Sequence, residues 1–241
     1  MDKKVVLVTG ASGGIGSAIS KVFSSEENYE LIIAGTNKKK LINLKDKLQN
    51  DNIKILEANL SETDHFINEL TKINLNVDIL INNAGINRDS LLLRMSDDDL
   101  FQVINLNLIS TIRLTKYLIR NMIKKRYGRV ISISSIVGVT GNAGQSNYAS
   151  SKAGIIAFSK SLAQEVASRR ITVNTISPGY IKSPMTDNLN ENIQQNILAK
   201  IPCGRFGNPE DISNVVNFLA NDDANYITGS NIHVNGGMVM I

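Results

Sequence analysis

Lys4-Val5-Val6-Leu7-Val8-Thr9-Gly10-Ala11-Ser12-Gly13-Gly14-Ile15-Gly16 is the stretch on which the fold reading turns. Lys4 to Thr9 is a short β-branched run, and Gly14 to Ser25 has helical periodicity, so the glycines fall between a strand and a helix. Glycine lacks a Cβ, so a chain built this way lets an outside group approach its backbone. The helix N-terminus adds free N–H groups and a dipole that favours an anion. In this strand–turn–helix context, Thr9 to Gly16 is what a dinucleotide diphosphate requires.

Outward from that turn, strand-like and helix-like segments alternate along the chain. Glu30 to Ala34, Ile53 to Glu57, Val77 to Asn82, Val130 to Ser134, Ile171 to Ile176 and Ile232 to Val234 read as further strands. Lys38 to Gln49 reads as an amphipathic helix, and Ser61 and Ser96 are expected to cap helices with acidic first turns. Strands apolar on both faces and separated by helices imply a parallel sheet covered on both sides. The expected fold is α/β, Rossmann-like and doubly wound. No linker or repeat divides residues 1–241, so one domain is expected.

Composition narrows the function classes. Hydrophobic residues are 42% and charged residues 20%, ordinary for a globular protein. No apolar run reaches membrane-span length. Met1-Asp2-Lys3-Lys4 leads straight into a strand, without the core of a signal peptide. Cys203 is the single cysteine, so no internal disulfide can form and a cytoplasmic location is expected. It has no nearby histidine to activate it. His65 and His233 belong to no ligand-like cluster, so no metal site is expected. Net charge is +4, which suits anionic partners such as phosphorylated cofactors or acidic proteins. The lysines are interspersed with acids and lack an aromatic-studded stripe, which argues against nucleic acid.

Two further segments carry chemistry. A carboxylate at the end of the second strand would bind the ribose diol of NAD and repel a 2′-phosphate. Here the residues are Gly35-Thr36-Asn37-Lys38-Lys39-Lys40, with no acid, which favours NADP (NADPH). Later come Ser135 and Tyr148-Ala149-Ser150-Ser151-Lys152. Tyr148 and Lys152 are four apart and share a helix face. An ammonium beside a phenol is expected to lower the tyrosine pKa and fit Tyr148 for acid–base work near neutrality. Ser135 follows the strand Val130 to Ser134, at the carboxyl end where open α/β sheets place their sites.

Together with Asn82-Asn83-Ala84-Gly85, Asn107 and Pro178-Gly179, these residues occur in the order of the short-chain dehydrogenase/reductase family, which the whole chain resembles. The resemblance implies about seven strands and a catalytic group of Asn107, Ser135, Tyr148 and Lys152. Ser135 would polarise a substrate carbonyl, and Tyr148 would supply the proton. Lys152 would hold the nicotinamide ribose, and Asn107 a water of the proton relay. The cofactor would lie along Gly10, Ser12, Gly13, Gly14, Ile15, Gly16, Thr36, Asn37, Asn59, Leu60, Asn83, Ala84, Gly85, Tyr148, Lys152, Pro178, Gly179 and Ile181. One departure stands out: relatives often carry an arginine for the 2′-phosphate where this chain has Gly13.

Within the family, Asn82 to Asp89, Met122 to Arg129, Gly141 to Tyr148 and His233 to Met238 look like the members that reduce 3-oxoacyl groups carried on acyl carrier protein. That implies an acyl carrier protein as partner, with Arg126 and Arg169 as docking cations beside the active-site mouth. An acetoacetyl-CoA reductase would share every catalytic residue, and a nucleotide-sensing protein without turnover would share the fold. The apolar, glycine-rich end from Ile227 to Met240 matches a family segment in subunit contacts, which implies a homotetramer.

Overall fold

The structure, a computed structural model, describes residues 3–183 and 190–241. Its strands are β1 (Lys4–Thr9), β2 (Tyr29–Gly35), β3 (Ile53–Glu57), β4 (Ile79–Asn82), β5 (Gly128–Ile133), β6 (Ile171–Pro178) and β7 (Asn231–Val234). Every pairing is parallel, and the order across the sheet is β3-β2-β1-β4-β5-β6-β7. The winding reverses where β1 lies between β2 and β4, and doubly wound sheets open their ligand crevice at that point, beyond the carboxyl ends. The expected Rossmann-like fold is the one observed, with strand ends shifted by a residue or two.

Alternation along β1 shows why both faces are covered. Val5 and Leu7 enter one apolar cluster, with Leu80, Leu114 and Leu162, while Val6 and Val8 enter the other, with Ile19, Phe23 and Leu219. The first face is closed by α3 (Thr63–Lys72), by α5 (Ser110–Lys125) after α4 (Asp97–Ile104), and by α7 (Ser146–Val166) after the single turn α6 (Val137–Thr140). The second is closed by α1 (Gly14–Ser24), α2 (Lys38–Leu48) and α9 (Pro209–Ala220), which follows α8 (Glu191–Leu198). Ser96 caps α4 as expected, its Oγ accepting from Asp99 N at 3.1 Å. Ser61 caps nothing: Asn59 Oδ1 accepts from Ser61 N at 3.0 Å, and that local turn delays the start of α3 to Thr63.

The amino ends of the strands are closed by paired charges. Asp222 accepts from Lys4 Nζ at 3.1 Å and from Arg129 Nη2 at 3.0 Å. The buried Arg129 guanidinium also donates to Gly128 O at 2.9 Å, and it shares the Tyr127 ring with Lys4, each 4.7 Å from the centroid. Buried Asp78 accepts from Val5 N at 3.0 Å and from Lys125.

Candidate active site

The carboxyl end is built differently, from glycines and open donors. Gly10 takes φ +62°, and a Cβ on Gly16 would meet Gly10 O at 2.2 Å, so this turn exists only with glycine at both places. Thr9 Oγ1 accepts from Asn83 N at 3.0 Å and Ala84 N at 3.1 Å. Asn83 Nδ2 returns bonds of 3.0 Å to the carbonyls of Thr9 and Gly10. The segment after β4 therefore holds the turn after β1 in shape.

At the head of α1, among the described residues, no side chain caps the first N–H groups, and a Cβ on Gly14 would meet nothing within 4 Å. Uncapped donors facing open space are what a diphosphate fills. They face a cleft of about 720 Å³ that extends past Thr36 and Asn59 to Gly85 and Ile181. The residues present fit a dinucleotide. Ser12, Gly13, Ile15, Leu60 and Ala84 line it, and Ser61, Phe66 and Lys182 join them without a motif to announce them. Asn37 caps α2, its Oδ1 accepting from Lys40 N at 3.0 Å, and is not among the residues that line the cleft. Nearby, Lys38 Nζ lies 3.7 Å from a Glu57 carboxylate oxygen. An acid absent from the end of β2 thus arrives from β3.

A second, smaller pocket of about 310 Å³ adjoins the cleft and shares Ile15, Gly85 and Ile181 with it. Ser135, Tyr148, Lys152, Pro178 and Gly179 line it. Ser135 stands just past β5, where its Oγ accepts from Val137 N at 3.1 Å. Gly179 N donates to Val234 O at 2.9 Å, fixing the Pro178-Gly179 turn against β7. Tyr148 and Lys152 share a face of α7, with Lys152 Nζ 5.6 Å from the Tyr148 ring centroid.

The charge state is not the expected one. Burial pushes the Tyr148 phenol above the ordinary tyrosine value, a hydrogen bond with Ser135 pulls it down, and the Asp89 carboxylate adds to the rise. Lys152 does not offset this, because burial lowers its own pKa from 10.5 to about 8 and its Nζ donates to Ile133 O at 2.8 Å. The phenol is therefore held protonated.

Asn107 lies behind the pocket, in the π-helical turn Asn105–Ile109 between α4 and α5. Such bulges re-aim side chains within an otherwise regular helix. Asn107 Nδ2 donates to Ile86 O at 2.9 Å and Ser151 Oγ at 3.1 Å, and its Oδ1 accepts from Ile86 N at 2.9 Å. Its side chain is committed to holding the loop after Gly85, and a Cβ on Gly85 would lie 3.5 Å from Lys152 Nζ.

Arg126 and Arg169 require a correction. They do lie together, since Arg126 Nη2 donates to Ser168 O at 3.1 Å. Arg126, however, precedes β5 and Arg169 precedes β6, at the amino ends of those strands. The six residues of β5, at roughly 3.3 Å each, set Arg126 about 20 Å from Ser135. They are not beside the active-site mouth.

The family model for short chain dehydrogenase matches residues 4–194. Over 238 residues the chain is 50% identical to the 3-oxoacyl-[acyl-carrier-protein] reductase FabG of Rickettsia conorii, covering 99% of this chain and 98% of that one. It is 48% identical over 241 residues to the FabG reductase of Salmonella typhimurium, covering 99% and 98%. Nodulation protein G of a Rhizobium strain is 49% identical over 238 residues, with 98% and 96% covered.

Proposed function

The chain belongs to the short-chain dehydrogenase family, and from that premise we propose that it reduces 3-oxoacyl groups carried on acyl carrier protein to 3-hydroxyacyl groups in fatty-acid synthesis, with NADPH as cofactor. The observation that carries this reading is the junction of a dinucleotide cleft with a pocket holding Ser135, Tyr148 and Lys152. The FabG reductases, alike over nearly their whole length, supply the substrate class.

When bound, the nicotinamide ring supplies the hydride. The Ser135 hydroxyl donates to the substrate carbonyl oxygen and polarises the bond. Tyr148, held as the neutral phenol, gives its proton to that oxygen as charge develops there. Lys152 steadies the ribose, the Ser135 hydroxyl eases departure of the phenol proton, and Asn107 keeps the loop beside them in place. The absence of an acid from Gly35 to Lys40 supports NADPH. Gly13 and the Lys38–Glu57 pair make the preference a modest one.

The working protein is a one-domain subunit of a cytoplasmic homotetramer. Apolar side chains stand out on separate parts of its surface: Leu93 and Phe101 around α4, and Phe218, Tyr226 and Met240 around α9 and the chain end. Exposed apolar side chains at these places support subunit contacts in such an assembly. Among the described residues no helix is long and apolar enough to cross a membrane. Arg126 and Arg169, exposed on the amino-end face, offer cations to the acidic carrier.

Initial rates with a 3-oxoacyl carrier protein and the matching CoA thioester, each with NADPH and NADH, test the reading. The carrier-bound substrate with NADPH should react fastest. Equal rates on the CoA thioester would favour an acetoacetyl-CoA type of reductase. Binding of NADPH without oxidation would favour a nucleotide sensor.

A further inference from the structure

We propose that Lys182 is a further cofactor-binding residue, an ammonium that holds the diphosphate bridge from the side of the cleft opposite the glycine turn; this rests on the dinucleotide reading above. A nicotinamide dinucleotide brings negative charge into a cleft lined by backbone N–H groups, amides, hydroxyls and apolar side chains. Among the described residues lining it, Lys182 is the one ionisable side chain. Its backbone is well fixed: Lys182 N donates to Gly207 O at 2.8 Å, Gly207 N donates to Tyr180 O at 2.9 Å, and Ile181 forms a parallel bridge with Gly207. Its side chain is exposed and has no ion-pair partner among the described residues. Lys38, near the cleft rim, differs in that it already faces Glu57.

Position along the cleft selects the phosphate. Ile181, the preceding residue, lines both the cleft and the Ser135–Tyr148 pocket, which puts Lys182 toward the nicotinamide half. Thr36, where a 2′-phosphate would be read, follows β2 on the other side of β1. Lys182 therefore acts on the part that NADPH and NADH have in common. It complements the uncapped head of α1, whose partial positive charge attracts the same group.

The test measures dissociation constants for NADPH and for NADH by fluorescence titration of the full chain, wild type beside Lys182→Met and Lys182→Glu, at low and high salt. In the Met variant both constants should rise about three- to five-fold, the range for an exposed ion pair, and further in the Glu variant. High salt should narrow the gap to wild type. Unchanged constants in both variants would overturn the proposal, as would a loss confined to NADPH. A wild type that binds neither nucleotide would remove the dinucleotide reading itself, a result visible before any variant is made.

Discussion

The two ends of the one sheet are made of opposite materials. At the amino ends, charges meet charges: Asp222 takes Lys4 and Arg129, Asp78 takes Lys125, and Tyr127 lies between two cations. At the carboxyl ends the backbone is left open. The head of α1 is uncapped, and Lys152 is buried with a carbonyl oxygen as its hydrogen-bond partner. The first end pairs its charges internally and contributes stability. The second leaves groups to be satisfied by something that binds, and gives up stability to do so.

The sharpest way to break this contrast is at Tyr148. Tyr148→Phe removes a hydroxyl from a half-buried ring and leaves the packing of α7 in place. Turnover should fall by about 10²–10⁴-fold, the usual contribution of a placed acid, while thermal stability stays near wild type. Near-normal turnover in steady-state assays would remove Tyr148 from the chemistry.

Lys152 tests whether the site gives up stability. Its pKa of about 8 lies below the 10.5 expected in the unfolded chain. Between those values the unfolded state holds more protons than the folded one, so stability rises with pH across that window. Below about pH 8 the full penalty is present, on the order of 3 kcal/mol for a side chain only 5% exposed. Lys152→Met should therefore be more stable than wild type at pH 7, with the advantage fading toward pH 10.5, while activity collapses. Urea melts at the two pH values that show no difference would mean that the amine stays charged in the fold.

Arg129→Met should do the reverse. Arg129 is 3% exposed, and its loss removes the donors to Gly128 O, Arg170 O and Asp222. Asp222 is itself largely exposed, so no buried charge is stranded. Stability should drop by about 2 kcal/mol, with kcat per folded molecule unchanged. A fall in kcat as large as the fall in stability would show that the two ends are coupled.

These contrasts also show what could be read before folding. The seven strands were legible because their apolar runs are bounded by helical periodicity. The Tyr148 and Lys152 pair was legible because four-residue spacing fixes a shared helix face, and Ser135 because it follows the carboxyl end of a strand. Spacing does not say where a long side chain ends, and Lys152 Nζ ends on Ile133 O rather than on the phenol. Asn37 carries an amide equally suited to a ribose or to a helix cap, and the cap claimed it. Arg126 is nine residues before Ser135, yet a full strand separates them, so nearness in sequence became distance in space. Glu57 and Lys182 enter the cleft region by way of sheet order and loop packing, which leave no local motif.

Cofactor preference is where the smallest effects belong, and it sharpens the comparison at the one place where charge does enter the open end. Gly13 has φ −77° and ψ 169°, ordinary extended backbone, and a Cβ there would sit 3.5 Å from Gly10 O, a normal contact. Gly13→Arg should therefore fold without strain and raise the preference for NADPH over NADH by roughly three- to ten-fold, as a charge-assisted contact at an exposed rim does. Glu57→Gln asks the same question more gently. Its carboxylate faces Lys38 at 3.7 Å with both side chains well exposed, so it cancels part of the positive field where a 2′-phosphate would lie. Replacing it should release Lys38 and lift the NADPH preference by about twofold, an effect that salt erases. The measurement is the ratio of dissociation constants for NADPH and NADH in each variant at low salt. If Glu57→Gln weakens NADH binding instead, Glu57 is itself the missing ribose-diol carboxylate, and the wild type should prefer NADH.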